Sequence, residues 1–123
     1  MKYLLMIYLN PESRAAWEAL PDDKQAEGMR AHAELDEELA ASGELIVTEA
    51  LADPSAATRV SIREGRTITT DGPFGEVKEF LAGFYLVECD TWERALELAS
   101  KMPEAPAGEI EVRPIMDYGG PEM

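Results

Sequence analysis

Two stretches of the chain, residues 3–9 (Tyr-Leu-Leu-Met-Ile-Tyr-Leu) and residues 80–89 (Phe-Leu-Ala-Gly-Phe-Tyr-Leu-Val-Glu-Cys), are apolar on both alternating sets of positions. A strand with one wet face shows a clean alternation, whereas a strand apolar on both sets has both faces covered. The chain must therefore fold around two interior strands with a layer on each side. Asn10-Pro11 stops the first run, and Gly83 inside the second predicts a bulge.

The remaining elements are arranged around these two. A short helical turn is expected at residues 13–20. Pro21-Asp22-Asp23 then supplies a helix start and Gly43 a stop, which predicts a helix of about 20 residues between them. Met29, His32, Leu35 and Leu39 recur on one face of it and should lie on the sheet, while Glu34, Glu37 and Glu38 point away. Asp36 shares the face of His32. Residues 44–51, with Ile46, Val47 and Thr48 at the centre, read as a second strand. Residues 58–63 and 66–70 alternate around Glu64-Gly65 and predict a tight hairpin with Val60, Ile62 and Ile68 facing inward. Asp71-Gly72-Pro73-Phe74-Gly75 is a turn cluster. After the second interior strand, Asp90 and Glu93 have capping-box spacing, and Trp92, Ala95, Leu96, Ala99 and Met102 form an apolar helical stripe ended by Pro103. The Pro106-Ala-Gly108 loop leads to a last alternating strand at residues 109–114.

Without the hairpin the order is βαββαβ, the split pattern of ferredoxin-like α+β folds, with two helices on one face of an antiparallel sheet. The expected molecule is a single domain over residues 1–123 with the β-hairpin inserted. The helices can cover only one face of the doubly apolar strands, which predicts a homodimer joined sheet to sheet.

Composition limits function more than fold. Eleven Lys and Arg residues against 25 Asp and Glu give a net charge of −14, which disfavours direct binding to nucleic acid. No apolar run approaches the roughly 20 residues needed to cross a bilayer, and signal-peptide flanks are absent, so no membrane association and a cytoplasmic location are expected. The single cysteine and single histidine offer no zinc cage, and metal-ligand spacings and phosphate loops are lacking, so neither metal nor cofactor is expected. The charge is uneven. Residues 58–78 carry Arg59, Arg63, Arg66 and Lys78 against Glu64, Asp71 and Glu76, so 4 − 3 = +1, in a chain that is acidic on both sides of them.

The motifs also carry a resemblance. Asp71-Gly72-Pro73-Phe74, the Lys78-Glu79 pair, Gly83-Phe84-Tyr85, the opening residues 1–8 and the closing residues 109–115 together resemble the DGPF-domain branch of the YCII-related proteins over nearly the whole chain. The resemblance implies a dimeric α+β barrel. It also implies a histidine on the first long helix, eleven residues before the glycine that ends it, placed in an active site with an aspartate. His32 and Gly43 have that spacing. Asp53 lies where such sequences often place an acid, while the Asp-Pro pair that other members carry after the second helix is here Met102-Pro103. A few relatives resemble enzymes acting on small ring compounds, and DGPF proteins often accompany alternative sigma factors.

Chemistry singles out few residues. His32 is the only side chain whose ordinary pKa, about 6.5, suits proton transfer near neutrality, so it is the candidate general base. Its alternative is a half-buried histidine bonded to a neighbour. Asp53 and Asp71 are the candidate catalytic acids, and Asp36, one helical turn from His32, could instead hold the imidazole in one tautomer. Arg59, Arg63 and Arg66 could select a carboxylate-bearing ligand, or simply pair with the acidic surroundings. The expectation is a small cytoplasmic homodimer that binds a small organic, anionic molecule and carries out cofactor-free acid/base chemistry with His32. The alternative is a non-catalytic binding or regulatory protein linked to sigma-factor control.

Overall fold

The computed structural model describes residues 1–74, 78–107 and 109–117; Gly75 of the turn cluster and Gly108 of the last loop lie outside them. The elements run β1 (Lys2–Leu9), α1 (Pro11–Glu18), α2 (Asp22–Ala41), β2 (Leu45–Ala50), β3 (Thr58–Arg63), β4 (Arg66–Asp71), β5 (Phe80–Glu88), α3 (Trp92–Ser100) and β6 (Ile110–Pro114). Short 3-10 turns occur at Pro54–Ala56 and Ala105–Ala107.

The fold is α+β. Four strands form an antiparallel sheet in the order β2-β5-β1-β6, an order compatible with a ferredoxin-like fold. The two doubly apolar runs, β1 and β5, occupy the centre. Tyr3, Leu5 and Ile7 of β1 and Tyr85 and Val87 of β5 meet Leu35 and Leu39 of α2 and Ala95, Leu98 and Ala99 of α3 in one buried core. The intervening side chains, Leu4 opposite Leu86 and Met6 opposite Phe84, belong to the other face of the sheet and lie outside that core. The register between β1 and β5 shifts between Ile7 and Tyr8, which pair with Gly83 and Leu81, so Ala82 is the extra residue of a bulge. Gly83 is needed there because a Cβ would stand 3.0 Å from the Glu49 carbonyl oxygen.

Side-chain capping explains the starts of α1 and α3, whereas α2 begins behind Pro21 without a side-chain cap. The Asn10 side chain accepts from the Ser13 amide at 2.7 Å and the Ser13 hydroxyl oxygen accepts from the Asn10 amide at 2.9 Å, a reciprocal box that begins α1 at Pro11. For α3 the cap is Thr91 rather than Asp90. Thr91 has the extended backbone of a cap, and its hydroxyl accepts from the Arg94 amide at 3.0 Å. The apolar stripe shifts with it. Ala95, Leu98, Ala99 and Met102 are buried, while Trp92 and Leu96 are exposed, with Trp92 leaning on the Tyr3 ring.

β3 and β4 pair only with each other, as a separate two-stranded ladder. Glu64 and Gly65 both have positive φ, 50° and 76°, as a two-residue hairpin turn demands. Contrary to expectation, Val60 and Ile62 are each 65% exposed and Ile68 is exposed as well, because the ladder lies outside the helix-side core. Gly72, just after β4, is a packing requirement: its amide donates to the Ala57 carbonyl at 2.7 Å, and a Cβ would stand 2.6 Å from the Pro54 carbonyl oxygen. Among the described residues no helix is long and apolar enough to cross a membrane.

Candidate functional site

A cavity of about 710 Å³ opens where α1 and α2 face the bulged end of the sheet. Its wall is largely apolar: Ile7 and Leu9 from β1, Ala50 and Leu51 around the end of β2, Ala82 and Gly83 at the bulge, and Trp17 and Leu20 around α1. Gly28 on α2 allows the Trp17 indole to close one side, since a Cβ would come within 2.8 Å of the ring. Met29, expected on the buried face of α2, is instead 68% exposed at this cavity, whereas Leu35 and Leu39 two turns further on are buried. The face that α2 offers to the sheet is core at one end and cavity wall at the other.

His32 stands where the two meet. Its Nδ1 lies 3.1 Å from the Tyr85 hydroxyl, and its Nε2 is hydrogen-bonded to Oε1 of Glu104. The Tyr85 hydroxyl donates in turn to Oδ1 of Asp36. Four titratable side chains thus form one chain, Glu104, His32, Tyr85 and Asp36, and all four line the cavity. Three separate parts of the sequence build it. α2 carries His32 and Asp36 one turn apart, β5 carries Tyr85 on its helix-facing side, and the segment after α3 carries Glu104.

The electrostatics follow from these contacts. The hydrogen bond to Glu104 holds the His32 pKa above its ordinary value, with burial opposing it and the charges of Glu104 and Asp36 adding to it. The imidazolium is thus favoured more than in a free histidine, and in that form Nε2–H donates to Glu104 and Nδ1–H to the Tyr85 oxygen. Burial, followed by the hydrogen bond to Asp36 and its charge, pushes the Tyr85 hydroxyl well above the ordinary tyrosine range, so it stays protonated. Among the described residues, Oε2 of Glu104 is buried without a hydrogen-bond partner. One carboxylate oxygen is thus held by His32 while the other is left unpaired.

The residues singled out in the sequence are distributed differently. Asp36 meets His32 only through Tyr85. Asp53 caps the Pro54–Ala56 turn, accepting from the Ser55 amide at 3.0 Å, and the Ser55 side chain, followed by its amide, lowers the Asp53 pKa. It lines a second hollow of about 390 Å³ with Pro54 and Phe80. Asp71 ends β4, where it accepts from the Thr58 hydroxyl at 3.0 Å. Arg59 lies over the Phe74 ring, 3.9 Å from its centroid, and Arg63 and Arg66 face each other across the hairpin turn. None of Asp53, Asp71, Arg59, Arg63 and Arg66 lines the His32 cavity. Among the described residues no group of three His, Cys, Asp or Glu side chains is placed to hold a metal ion.

Residues 1–119 match the YCII-related domain. The chain belongs to the YCII-related family. An uncharacterized protein of Rhizobium meliloti (strain 1021) is 32% identical over 125 residues, spanning all of this YCII-related chain and 98% of the relative. The Met102-Pro103 pair also becomes intelligible. Met102 is buried in the core, and the carboxylate that reaches His32 comes two positions later, from Glu104. Sequence reasoning passed over Tyr85 as an interior strand residue and Glu104 as one acid among many. The available signals were a polar-tipped aromatic on the helix-facing set of β5 and an acid directly after a helix-ending proline.

Proposed function

We propose that this YCII-related protein binds a small organic molecule in the α1/α2 cavity and moves a proton at the His32–Glu104 pair without a cofactor. The observation that supports this is Glu104, a residue of the cavity wall whose Oε2 has no hydrogen-bond partner among the described residues, beside a histidine whose two ring nitrogens are already engaged. The ring of His32 holds Oε1 of Glu104, which fixes the carboxylate in place. Glu104 Oε2 accepts a proton from the ligand, and the pair returns it to another ligand atom. Tyr85 and Asp36 fix the ring by holding Nδ1. The apolar remainder of the wall lowers the local dielectric, which strengthens each of these interactions.

The working unit in this proposal is a cytoplasmic homodimer of the DGPF branch. The apolar set Leu4, Met6, Phe84 and Leu86 on the sheet face opposite the helices supports a second copy as its cover.

The test follows α-proton exchange into a panel of cyclic ketones and unsaturated lactones in D₂O by NMR. Exchange above background that is lost in Glu104→Gln and His32→Gln, and kept in Asp53→Asn and Asp71→Asn, is the expected result. Probe binding with no exchange by the wild type would overturn the proton-transfer part in favour of a non-catalytic binding role.

A further inference from the structure

Arg14 is the one Lys or Arg side chain in the wall of the His32 cavity among the described residues. It reaches there from α1, with its guanidinium carbon 5.3 Å from the centre of the Phe80 ring. Among the described residues its Nε is buried without a hydrogen-bond partner, and no carboxylate pairs with it. In a chain of net charge −14, a half-buried arginine with no described carboxylate in ion-pair contact is unusual; Asp53 feels its charge only from further off. The aromatic contact occupies a face of the guanidinium and leaves its N–H edge, the part that matches a carboxylate. Asp36 and Glu104 are bonded to Tyr85 and His32, and Glu49 and Glu109 add further negative charge to the wall.

We infer that Arg14 is the anchor for an anionic group on the cavity ligand, so that the ligand class is a small organic acid with an apolar body. This deepens the proposed function and rests on the same cavity. The carboxylate pairs with Arg14 on α1, the body lies along Trp17 and the apolar end of β2, and the far end meets Glu104. His32 is already engaged by Glu104 and Tyr85, and the carboxylates of the wall disfavour a second acid beside them, so Arg14 sets the orientation of the ligand as well as its charge.

Phenylacetate and its neutral counterpart phenylacetamide test the inference by NMR titration, with the Trp17 indole N–H reporting from the cavity and that of Trp92 as an internal control. The wild type should bind the acid about ten-fold or more tighter than the amide, the scale of a charge-assisted hydrogen bond. Arg14→Gln should remove the preference, Arg14→Lys should keep part of it, and His32→Gln should keep it. Equal binding of acid and amide by the wild type, or a preference surviving in Arg14→Gln, overturns the Arg14 assignment while leaving the cavity as a binding site. If neither probe moves Trp17, the cavity reading and this inference fall together. A loss of preference in His32→Gln equal to that in Arg14→Gln would also overturn it.

Discussion

His32 on α2 meets the carboxylate of Glu104, 72 positions later in the chain, and this contact ties the long helix to the segment beyond α3. It makes stability depend on pH with a definite sign. Because the folded His32 pKa lies above its ordinary value of 6.5, the contact stabilises the protein fully below 6.5 and is lost as pH rises through the folded value. Both side chains are partly exposed, 30% and 22%, so the effect should be about 1 kcal/mol. Thermal melts of wild type and His32→Gln over about pH 5.5 to 8 should show the wild-type advantage shrinking toward alkaline pH. A constant difference across that range would contradict the ion pair.

The Trp17 ring and Gly28 share a space that a methyl group would fill. Gly28→Ala gains helix propensity worth about 1 kcal/mol but collides with the indole. Trp17 is already 38% exposed and can move, so the expected outcome is a displaced ring rather than an unfolded protein. In a Trp92→Phe background the fluorescence of Gly28→Ala should shift to the red, and the probe affinity of the cavity should fall.

Gly72 has no such freedom, because the atoms its Cβ would meet are the Pro54 and Ala57 carbonyl oxygens, both backbone. Gly72→Ala should cost about 1–3 kcal/mol as an overpacking change. Hydrogen exchange should quicken at the Gly72 amide, which donates to Ala57. An unchanged melting temperature would show that the turn after β4 yields more easily than its contacts indicate.

The doubly apolar character of β1 and β5 was readable in advance because it is a local pattern with a single three-dimensional solution, and the order of elements followed from it. The site was less readable. His32 could be found by its chemistry alone, but Glu104 and Tyr85 become its partners only through the sheet order and the path of the chain after α3. A bulge at Ala82, foreshadowed by Gly83, marks the end of the sheet where the cavity opens. The hairpin failed in the opposite way: Val60, Ile62 and Ile68 alternate as a buried strand would, yet alternation carries no information on whether a layer exists to cover them.

The proposed dimer has its own test. Phe84 pairs with Met6 of β1 and Glu49 of β2, and its side chain lies on the face opposite Tyr85. Light scattering at micromolar concentration should give twice the 13.6 kDa chain mass for the wild type. Phe84→Glu, which sets a charge in that face, should return a mass near 13.6 kDa while the helix-side core and its circular dichroism persist. A wild-type mass near 13.6 kDa would refute the dimer.

Helix α1 contributes no buried residue. It is held against α2 by the Gln25 side-chain amide donating to the Trp17 carbonyl at 2.9 Å and by the seat of Trp17 on Gly28. Arg14 and Trp17 therefore sit on a segment with few buried contacts, the kind expected to open at a lower free-energy cost than the core. Occupancy and local order are then thermodynamically linked: whatever fills the space beneath α1 slows exchange at the α1 amides, and whatever loosens α1 speeds its release. For the proposed ligand, the helix is at once the wall of the cavity and its door.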